Sequence, residues 1–169
     1  MTTFSDLFQS HSRDVYRFAL FLSGDHDLAE DIVSETFIRV WHARERLDLT
    51  TVKSYLLAIA RNLHLDQRRR AARHTTLVDD RVDPRPGPEQ SASSRGELQA
   101  VLAELQKLPE VDRAAVLLRA EEGLSYGEIG ALLGLTTIAA RVKVHRARAT
   151  LTRAAGATEA RGRSRGESR

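Results

Sequence analysis

The segment from residue 123 to residue 148, GLSYGEIGALLGLTTIAARVKVHRAR, constrains the fold of this chain more than any other. Ser125, with Glu128 three residues later, predicts a capping box at the start of a short helix. Gly134 stands where a chain that leaves a helix can adopt a positive φ. A second helix is predicted from Thr136, with small apolar residues on one face (Ala139 or Ala140, Val144, Ala147, Leu151) and cations on the other (Arg141, Lys143, Arg146, Arg148). This pattern predicts a helix-turn-helix.

The alternative interpretation of the same segment is a surface helical hairpin with a solvated basic face. The cap, the turn glycine and the one-sided charge together favour the helix-turn-helix. Such a motif places the N-terminal half of its second helix in the major groove. We therefore expect base-edge contacts from the start of that helix (Thr136, Thr137, Ile138, Arg141, Val142). Arg141 is the candidate for a bidentate contact to guanine, and Arg146 and Arg148 are candidates for phosphate contacts.

Charge is distributed unevenly along the chain, although the formal net charge is only +3. Residues 61–74 hold five arginines and one acid, and residues 141–153 hold five cations and no acid. Residues 25–35, in contrast, hold five acids and no lysine or arginine. Two basic blocks and one acidic block predict polyanion binding at two places and a separate protein contact.

Apolar periodicity predicts an all-α chain of two small helical domains joined by a flexible linker. The first domain, residues 1–74, contains three predicted helices, of which the third becomes basic in its C-terminal half. Residues 75–96 contain three of the four prolines and several serines, which is typical of a linker. The second domain, residues 97–154, ends with the helix-turn-helix. We expect the Gly- and Arg-rich tail, residues 155–169, to be disordered.

Several classes of function find no support in this sequence. Cysteine is absent, which excludes disulfides and thiolate metal sites. No apolar run is long enough to span a membrane, and the N-terminus lacks a signal-peptide pattern, so we expect a cytoplasmic protein without membrane insertion. The histidines have no ligand spacing, and no phosphate loop, nucleophile elbow or acid pair stands out. We therefore expect no catalytic residues, no metal and no cofactor.

Two blocks of sequence resemble a known family. AEDIVSETFIRVW (residues 29–41) and SYLLAIARNLHLDQRRR (residues 54–70) are similar to region 2 of the extracytoplasmic-function (ECF) sigma factors of the sigma-70 family. LPEVDRAAVLLRAEEGLSYGEIGALLGL and VKVHRARATL are similar to region 4 of the same family. The resemblance covers residues 4–151 in order, with the predicted linker between the two blocks.

The resemblance implies a transcription initiation factor that binds core RNA polymerase and promoter DNA. The outward face of the second helix is then expected to dock on the polymerase (Asp31, Ser34, Glu35, Arg39). The third helix and the loop before it are expected to contact the −10 element, with one base flipped into a pocket near that loop (Lys53, Tyr55, Arg61, Asn62, Asp66, Arg69). The helix-turn-helix is expected to contact the −35 element. The resemblance implies that His145 and Arg146 contact this element together with Arg141, Val142 and the other helix residues given above.

Some alternatives stay open at this point. The register of Tyr55 fits a core position, whereas an aromatic residue there could also stack on an unpaired base. The whole chain could instead be a stand-alone helix-turn-helix regulator, which would need a dimer interface and a sensor domain. It could also be a protein-interaction adaptor whose basic faces are incidental. The resemblance further implies an anti-sigma factor as partner, and we expect a monomer when the chain is free of partners.

Overall fold

The computed structural model describes residues 3–46, 51–75 and 92–166 of the 169-residue chain. Within these residues all regular structure is helical, which confirms the predicted fold class. The α-helices are α1 (Phe4–Ser23), α2 (His26–Ala43), α3 (Val52–Thr75), α4 (Ala92–Gln106), α5 (Glu110–Ala120), α6 (Tyr126–Leu133) and α7 (Thr137–Gly166), and a 3-10 turn (Arg44–Arg46) follows α2. The chain divides into two compact units, Met1–Arg95 and Gly96–Arg169.

Local sequence signals fix the ends of the helices in the first unit. Thr3 and Asp6 form a reciprocal capping box at the start of α1, and Gly24 ends that helix at a φ of 71°. Asp25 then caps α2 by accepting a hydrogen bond from the backbone N–H of Leu28 at 3.0 Å. Because the glycine and the new cap are adjacent, α1 and α2 are joined by a very short turn and must pack against each other.

The core of the first unit lies where α1, α2 and α3 meet. Its fully buried side chains recur at helical spacing on the inner face of each helix (Val15, Phe18 and Leu22; Ile32 and Val40; Leu56 and Leu57). Burial of a side chain of this size contributes roughly 1.5–3 kcal/mol, so the three amphipathic faces account for the association of the helices. The outer faces of α2 and α3 remain available for ligands.

A buried arginine organises the start of the second unit. Arg113 of α5 donates from Nε to the carbonyl oxygen of Leu105 at 2.8 Å and from Nη2 to that of Leu108 at 3.0 Å. These carbonyls lie at and just after the end of α4, where the regular helical hydrogen bonds stop, and that of Leu105 also accepts from the backbone N–H of Leu108 at 3.1 Å. The guanidinium thus satisfies the end of α4 while its own charge is buried, and it ties α4 to α5.

The helix-turn-helix is formed by α6 and α7, as the sequence predicts. Ser125 accepts from the backbone N–H of Glu128 at 3.1 Å, and the Glu128 carboxylate accepts from the backbone N–H of Ser125 at 2.7 Å. The hydrogen bonds from Ser125 hold the pKa of Glu128 below its ordinary value. Since the pKa is lowered, this contribution to stability is present at neutral pH and is lost as pH falls through the lowered pKa. Gly134 ends α6 at a φ of 69°.

Small apolar residues place α7 against the rest of the second unit. Ala140, Val144 and Ala147 are fully buried, whereas Ala139 and Leu151 are half-buried. This settles the choice between Ala139 and Ala140 that the sequence leaves open.

A buried ion pair joins α5 to α7. Asp112 is only 1% exposed, and its Oδ1 lies 3.2 Å from Nζ of Lys143. Arg146 approaches the same carboxylate, with 3.9 Å between Nη1 and Oδ2. The prediction that Lys143 belongs to the outward basic face is therefore wrong, because the buried carboxylate draws its ammonium group toward α5.

The ends of α3, α4 and α7 differ from the predicted boundaries. We predicted disorder from residue 155, but α7 continues to Gly166. The alanines of this segment favour helix, and an i,i+4 pair between Glu159 and Arg163 supports it. Residues 92–96 of the predicted linker belong to α4, and Thr75 ends α3. Residues 76–91 of the linker lie outside the described part of the chain, and the exact domain boundaries stay predictions.

We expect Gly134→Ala to destabilise the second unit by ~1 kcal/mol, because a Cβ is strained in the left-handed region. Gly127→Ala is the matched control, since its Cβ would meet no atom closer than 3.8 Å and its backbone is helical. Hydrogen exchange of the α6 and α7 amides measures both effects in the full chain. Equal loss of protection in the two variants would contradict the assigned role of the turn.

We expect Asp112→Asn to lower the local stability of α5 and α7 by on the order of 1–3 kcal/mol, because Lys143 loses its counter-ion in a largely buried position. Glu97→Gln removes an exposed acid of α4 and serves as the control. Hydrogen exchange resolves the effect by helix. Unchanged protection of α5 and α7 in Asp112→Asn would show that the ion pair contributes nothing.

Candidate nucleic-acid interface and docking groove

The exposed side of α7 opposite its buried face carries the predicted base-contacting residues. Ile138, Val142 and His145 form an exposed strip at helical spacing, and Ile138 is 77% exposed. Exposed apolar side chains of this size suit contact with the methyl groups of thymine. Arg141 and Arg146 lie on the two flanks of this strip, so the predicted set is brought together on one surface.

Arg141 is held from the first helix of the motif. Its Cζ lies 5.1 Å from the centroid of the Tyr126 ring, and Cζ of Arg119 lies 4.6 Å from the same centroid. Arg119 is itself anchored, since its Nη1 donates to the carbonyl oxygen of Leu124 at 2.9 Å. Cation–π contacts of this kind contribute about 0.5–1 kcal/mol at exposed sites. The sequence analysis did not identify Tyr126 or Arg119 as part of this surface.

Arg146, on the other flank, contacts both the solvent and the buried carboxylate of Asp112 described above. Its side chain is 59% exposed, so it remains available to a phosphate. Thr136 caps α7 by accepting from the backbone N–H of Ala139 at 3.1 Å, and Thr137 is exposed next to it. Both threonines thus lie at the leading end of the recognition helix, as predicted.

Three of the predicted −10 residues share one side of α3. Tyr55, Asn62 and Arg69 are exposed and recur every seven residues, which is about two helical turns. Tyr55 is 40% exposed, so of the two alternatives that the sequence leaves open the core position is wrong, and the ring is accessible for stacking. The buried face of α3 is rotated toward Leu57 and His64, both of which are buried, so Tyr55 lies beyond its edge.

The other predicted −10 residues lie elsewhere on α3. Lys53 is directed toward α1, where its Nζ lies 3.7 Å from Oδ2 of Asp14. Arg61 is half-buried. Asp66 pairs with Arg69, with 3.1 Å between Oδ1 and Nη1, and it also lines a groove toward α2. Residues 47–50 of the loop predicted to form the flipped-base pocket lie outside the described residues.

A groove of about 420 Å³ lies between α2 and α3 and contains the whole predicted polymerase-docking set. Glu35 and Arg39 form an ion pair along its wall, with 3.0 Å between Oε1 and Nε. Ile38, on the same wall, is 52% exposed and offers an apolar contact that the sequence analysis missed. The groove is lined by Asp31, Ser34, Glu35, Ile38 and Arg39 from α2 and by Leu63, Asp66, Gln67 and Arg70 from α3, together with Leu28 and Ile32.

Two negative findings apply to the described residues. None of their helices combines the length and apolarity that crossing a bilayer requires. No three or more of their histidines, aspartates and glutamates come together in a group that could hold a metal ion.

Family models match both units of the chain. The Sigma-70 region 2 model matches residues 7–74, and the Sigma-70, region 4 model matches residues 98–151. Together they cover more than half of the chain and agree with the order of the two motif blocks. A region 2 match beside the region 4 match favours a sigma factor over a stand-alone helix-turn-helix regulator.

Two similar curated proteins are both named ECF RNA polymerase sigma factors. The ECF RNA polymerase sigma factor SigE of Mycolicibacterium smegmatis is 40% identical over 159 residues, which are 89% of this chain and 61% of that protein. The chain thus spans less than two thirds of the length of this relative. The ECF RNA polymerase sigma factor SigM of Bacillus subtilis is 30% identical over 151 residues, which are 88% of this chain and 93% of that protein.

Solved structures show the same fold. The sigma factor RpoE of Bartonella quintana, in complex with the anti-sigma factor NepR, has a TM-score of 0.75 and 26% identity over 90% of this chain and 96% of that chain. CnrH, in complex with the cytosolic domain of CnrY, has a TM-score of 0.70 and 27% identity over 91% of this chain and 88% of that chain. The chain therefore belongs to the ECF class of the sigma-70 family, whose members are transcription initiation factors.

Proposed function

We propose that the chain joins core RNA polymerase through the α2–α3 groove and directs it to promoters by contacting the −10 element with α3 and the −35 element with α7. One observation carries the proposal: each compact unit presents its own basic helix, and the first unit adds a separate groove with acidic side chains. Each contact is small, and linking the two makes the second contact intramolecular once polymerase holds the units. We assign no chemical step, cofactor or metal to the chain itself.

The groove residues support the docking role by their mixture of charge and apolar surface. Asp31 and Glu35 supply acids, Arg39 supplies a cation, and Ile38 supplies the apolar contact at the centre of such interfaces. Ser34 lies on the same wall. We propose that Asp66 also belongs to this docking surface rather than to the −10 interface, because a carboxylate in the groove would repel DNA phosphates and complement a basic partner.

The −10 contact is proposed for the exposed line of Tyr55, Asn62 and Arg69. An exposed ring can stack on an unpaired base, an amide can recognise a base edge, and a guanidinium can bind phosphate. Arg61 lies beside this line and is assigned to phosphate. Lys53 lies near the start of α3, next to the loop proposed to hold the flipped base.

The −35 contact is proposed for the exposed strip of α7 and its flanks. Arg141 is assigned to guanine, Ile138 and Val142 to thymine methyl groups, and His145 to a base or phosphate. Arg146 binds phosphate, and Thr136 and Thr137 contact the backbone at the leading end of the helix. The bulk of Ile138 at this end makes shape complementarity to the base pair below it part of the specificity.

We further propose that an anti-sigma protein binds the free chain, as NepR binds RpoE and the cytosolic domain of CnrY binds CnrH. Occupation of the α2–α3 groove by such a protein would exclude polymerase directly. The chain is proposed to act in the cytoplasm, where polymerase and promoters are found, and to be a monomer in the absence of partners.

We expect the double variant Asp31→Lys and Glu35→Lys to lose binding to core polymerase, because both acids of the α2 wall are reversed. Co-purification of the full chain with core polymerase measures the loss. The control is Asp27→Lys with Glu97→Lys, which makes the same change in net charge at exposed positions outside the groove. Retained binding in the first double variant would place the docking surface elsewhere.

We expect Arg141→Ala to weaken binding of the reconstituted holoenzyme to a promoter with an intact −35 element by roughly fivefold to a hundredfold, since a bidentate base contact contributes ~1–3 kcal/mol. Binding to core polymerase should persist. Arg153→Ala, farther along α7, is the control and should cause a small loss that does not depend on sequence. Equal weakening by Arg141→Ala on intact and scrambled −35 elements would contradict the assignment.

A further inference from the structure

Tyr126 is a residue of α6 whose ring contacts a side chain of the recognition helix. We infer that Tyr126 is a positioning residue that holds the guanidinium of Arg141 ready for the −35 element. The inference rests on the proposed −35 role of α7 and goes beyond it, because it assigns part of the specificity to a residue outside the recognition helix.

The backbone of Tyr126 is fixed by its neighbours. It is the first residue of α6 and directly follows Ser125, whose reciprocal hydrogen bonds with Glu128 close the capping box at 2.7 and 3.1 Å. At Gly127, the next residue, the nearest atom to an ideal Cβ is Oγ1 of Thr137, at 3.8 Å. The cap therefore fixes the backbone from which the Tyr126 ring projects, and the start of α7 lies nearby.

The two cations at the ring differ in freedom. Arg119 is anchored at the carbonyl oxygen of Leu124, whereas Arg141 lies on the exposed side of α7 with its guanidinium 5.1 Å from the ring centroid. The fixed positive charge of Arg119 and the electron-rich ring together limit the orientations of Arg141. A long side chain that is already ordered loses less entropy when it binds a base.

A ring and a carboxylate have different consequences for the cation that each contacts. On the other flank of α7, Asp112 neutralises part of the charge of Lys143 and Arg146. A cation–π contact leaves the donors at the edge of the guanidinium unpaired, so they remain free for the two acceptors of guanine. Tyr126 thus orders Arg141 without consuming its hydrogen-bonding capacity.

The test is a double-mutant cycle between Tyr126 and Arg141 in the full chain, reconstituted with core polymerase. Dissociation constants are measured for a promoter with an intact −35 element and for one with a scrambled element. We expect Tyr126→Leu to weaken binding to the intact element by about threefold to tenfold and to leave the scrambled element unaffected. Tyr126→Phe keeps the ring and should stay within about twofold of the unchanged chain.

The cycle separates positioning from structure. In the Arg141→Ala background, Tyr126→Leu should cause no further loss, because its target is absent. Additive losses in the double variant would overturn the inference. A loss in Tyr126→Phe equal to that in Tyr126→Leu would also overturn it, because the effect would then come from the hydroxyl group and not from the ring. Tyr126→Gln is a second variant without a ring and must behave like Tyr126→Leu, which guards against a folding defect peculiar to leucine.

Failure of this inference is distinguishable from failure of the proposed function. If the unchanged chain does not join core polymerase, or does not distinguish the intact from the scrambled −35 element, the proposed function fails. If it does both, Arg141→Ala weakens binding, and Tyr126→Leu still shows no coupling to Arg141, only the positioning role of Tyr126 is overturned.

Discussion

The close packing of α7 through small residues is the constraint on which the second unit depends. Ala140, Val144 and Ala147 are fully buried, and their small side chains let the helix approach its neighbours closely. A larger residue at any of these positions would push α7 outward and change the direction of its exposed face. Because these residues form the buried side, the strip of Ile138, Val142 and His145 is directed toward solvent.

Two neighbouring helices, α5 and α6, contact the cations on the flanks of that strip, each by a different physical interaction. A buried carboxylate of α5 pairs with Lys143 and approaches Arg146. An aromatic ring of α6 lies next to Arg141. The carboxylate reduces positive charge, whereas the ring orders a side chain without neutralising it. The cations of α7 therefore differ in how freely they can bind a phosphate or a base, although in the sequence they form a uniform row.

In the first unit, α2 and α3 together form two different kinds of surface. The exposed line of Tyr55, Asn62 and Arg69 lies on one side of α3, and the groove toward α2 lies on another. Asp66 stands between them, since it pairs with Arg69 and also lines the groove. A carboxylate at this boundary separates a surface suited to phosphate from one suited to a protein with basic side chains.

The sequence by itself determined the helical elements and the order of the two units. Caps such as Ser125 with Glu128, turn glycines such as Gly134 and the apolar period act over a few residues, so they are legible without the fold. Most of the α7 residues that it singled out are exposed, as are Asp31, Ser34 and Arg39 of α2, whereas Glu35 is half-buried.

Only the tertiary structure decided which neighbours each exposed side chain meets. Lys143 pairs with the carboxylate of Asp112, which lies 31 residues earlier in the chain. Tyr55 is exposed although its register fits a core position. Tyr126 contacts Arg141 across the turn between α6 and α7. These outcomes depend on how helices pack against one another, and a pattern with a period of 3.6 residues contains no information about the partner on the next helix. The sequence therefore specified the surfaces, and the packing specified how their charges are held.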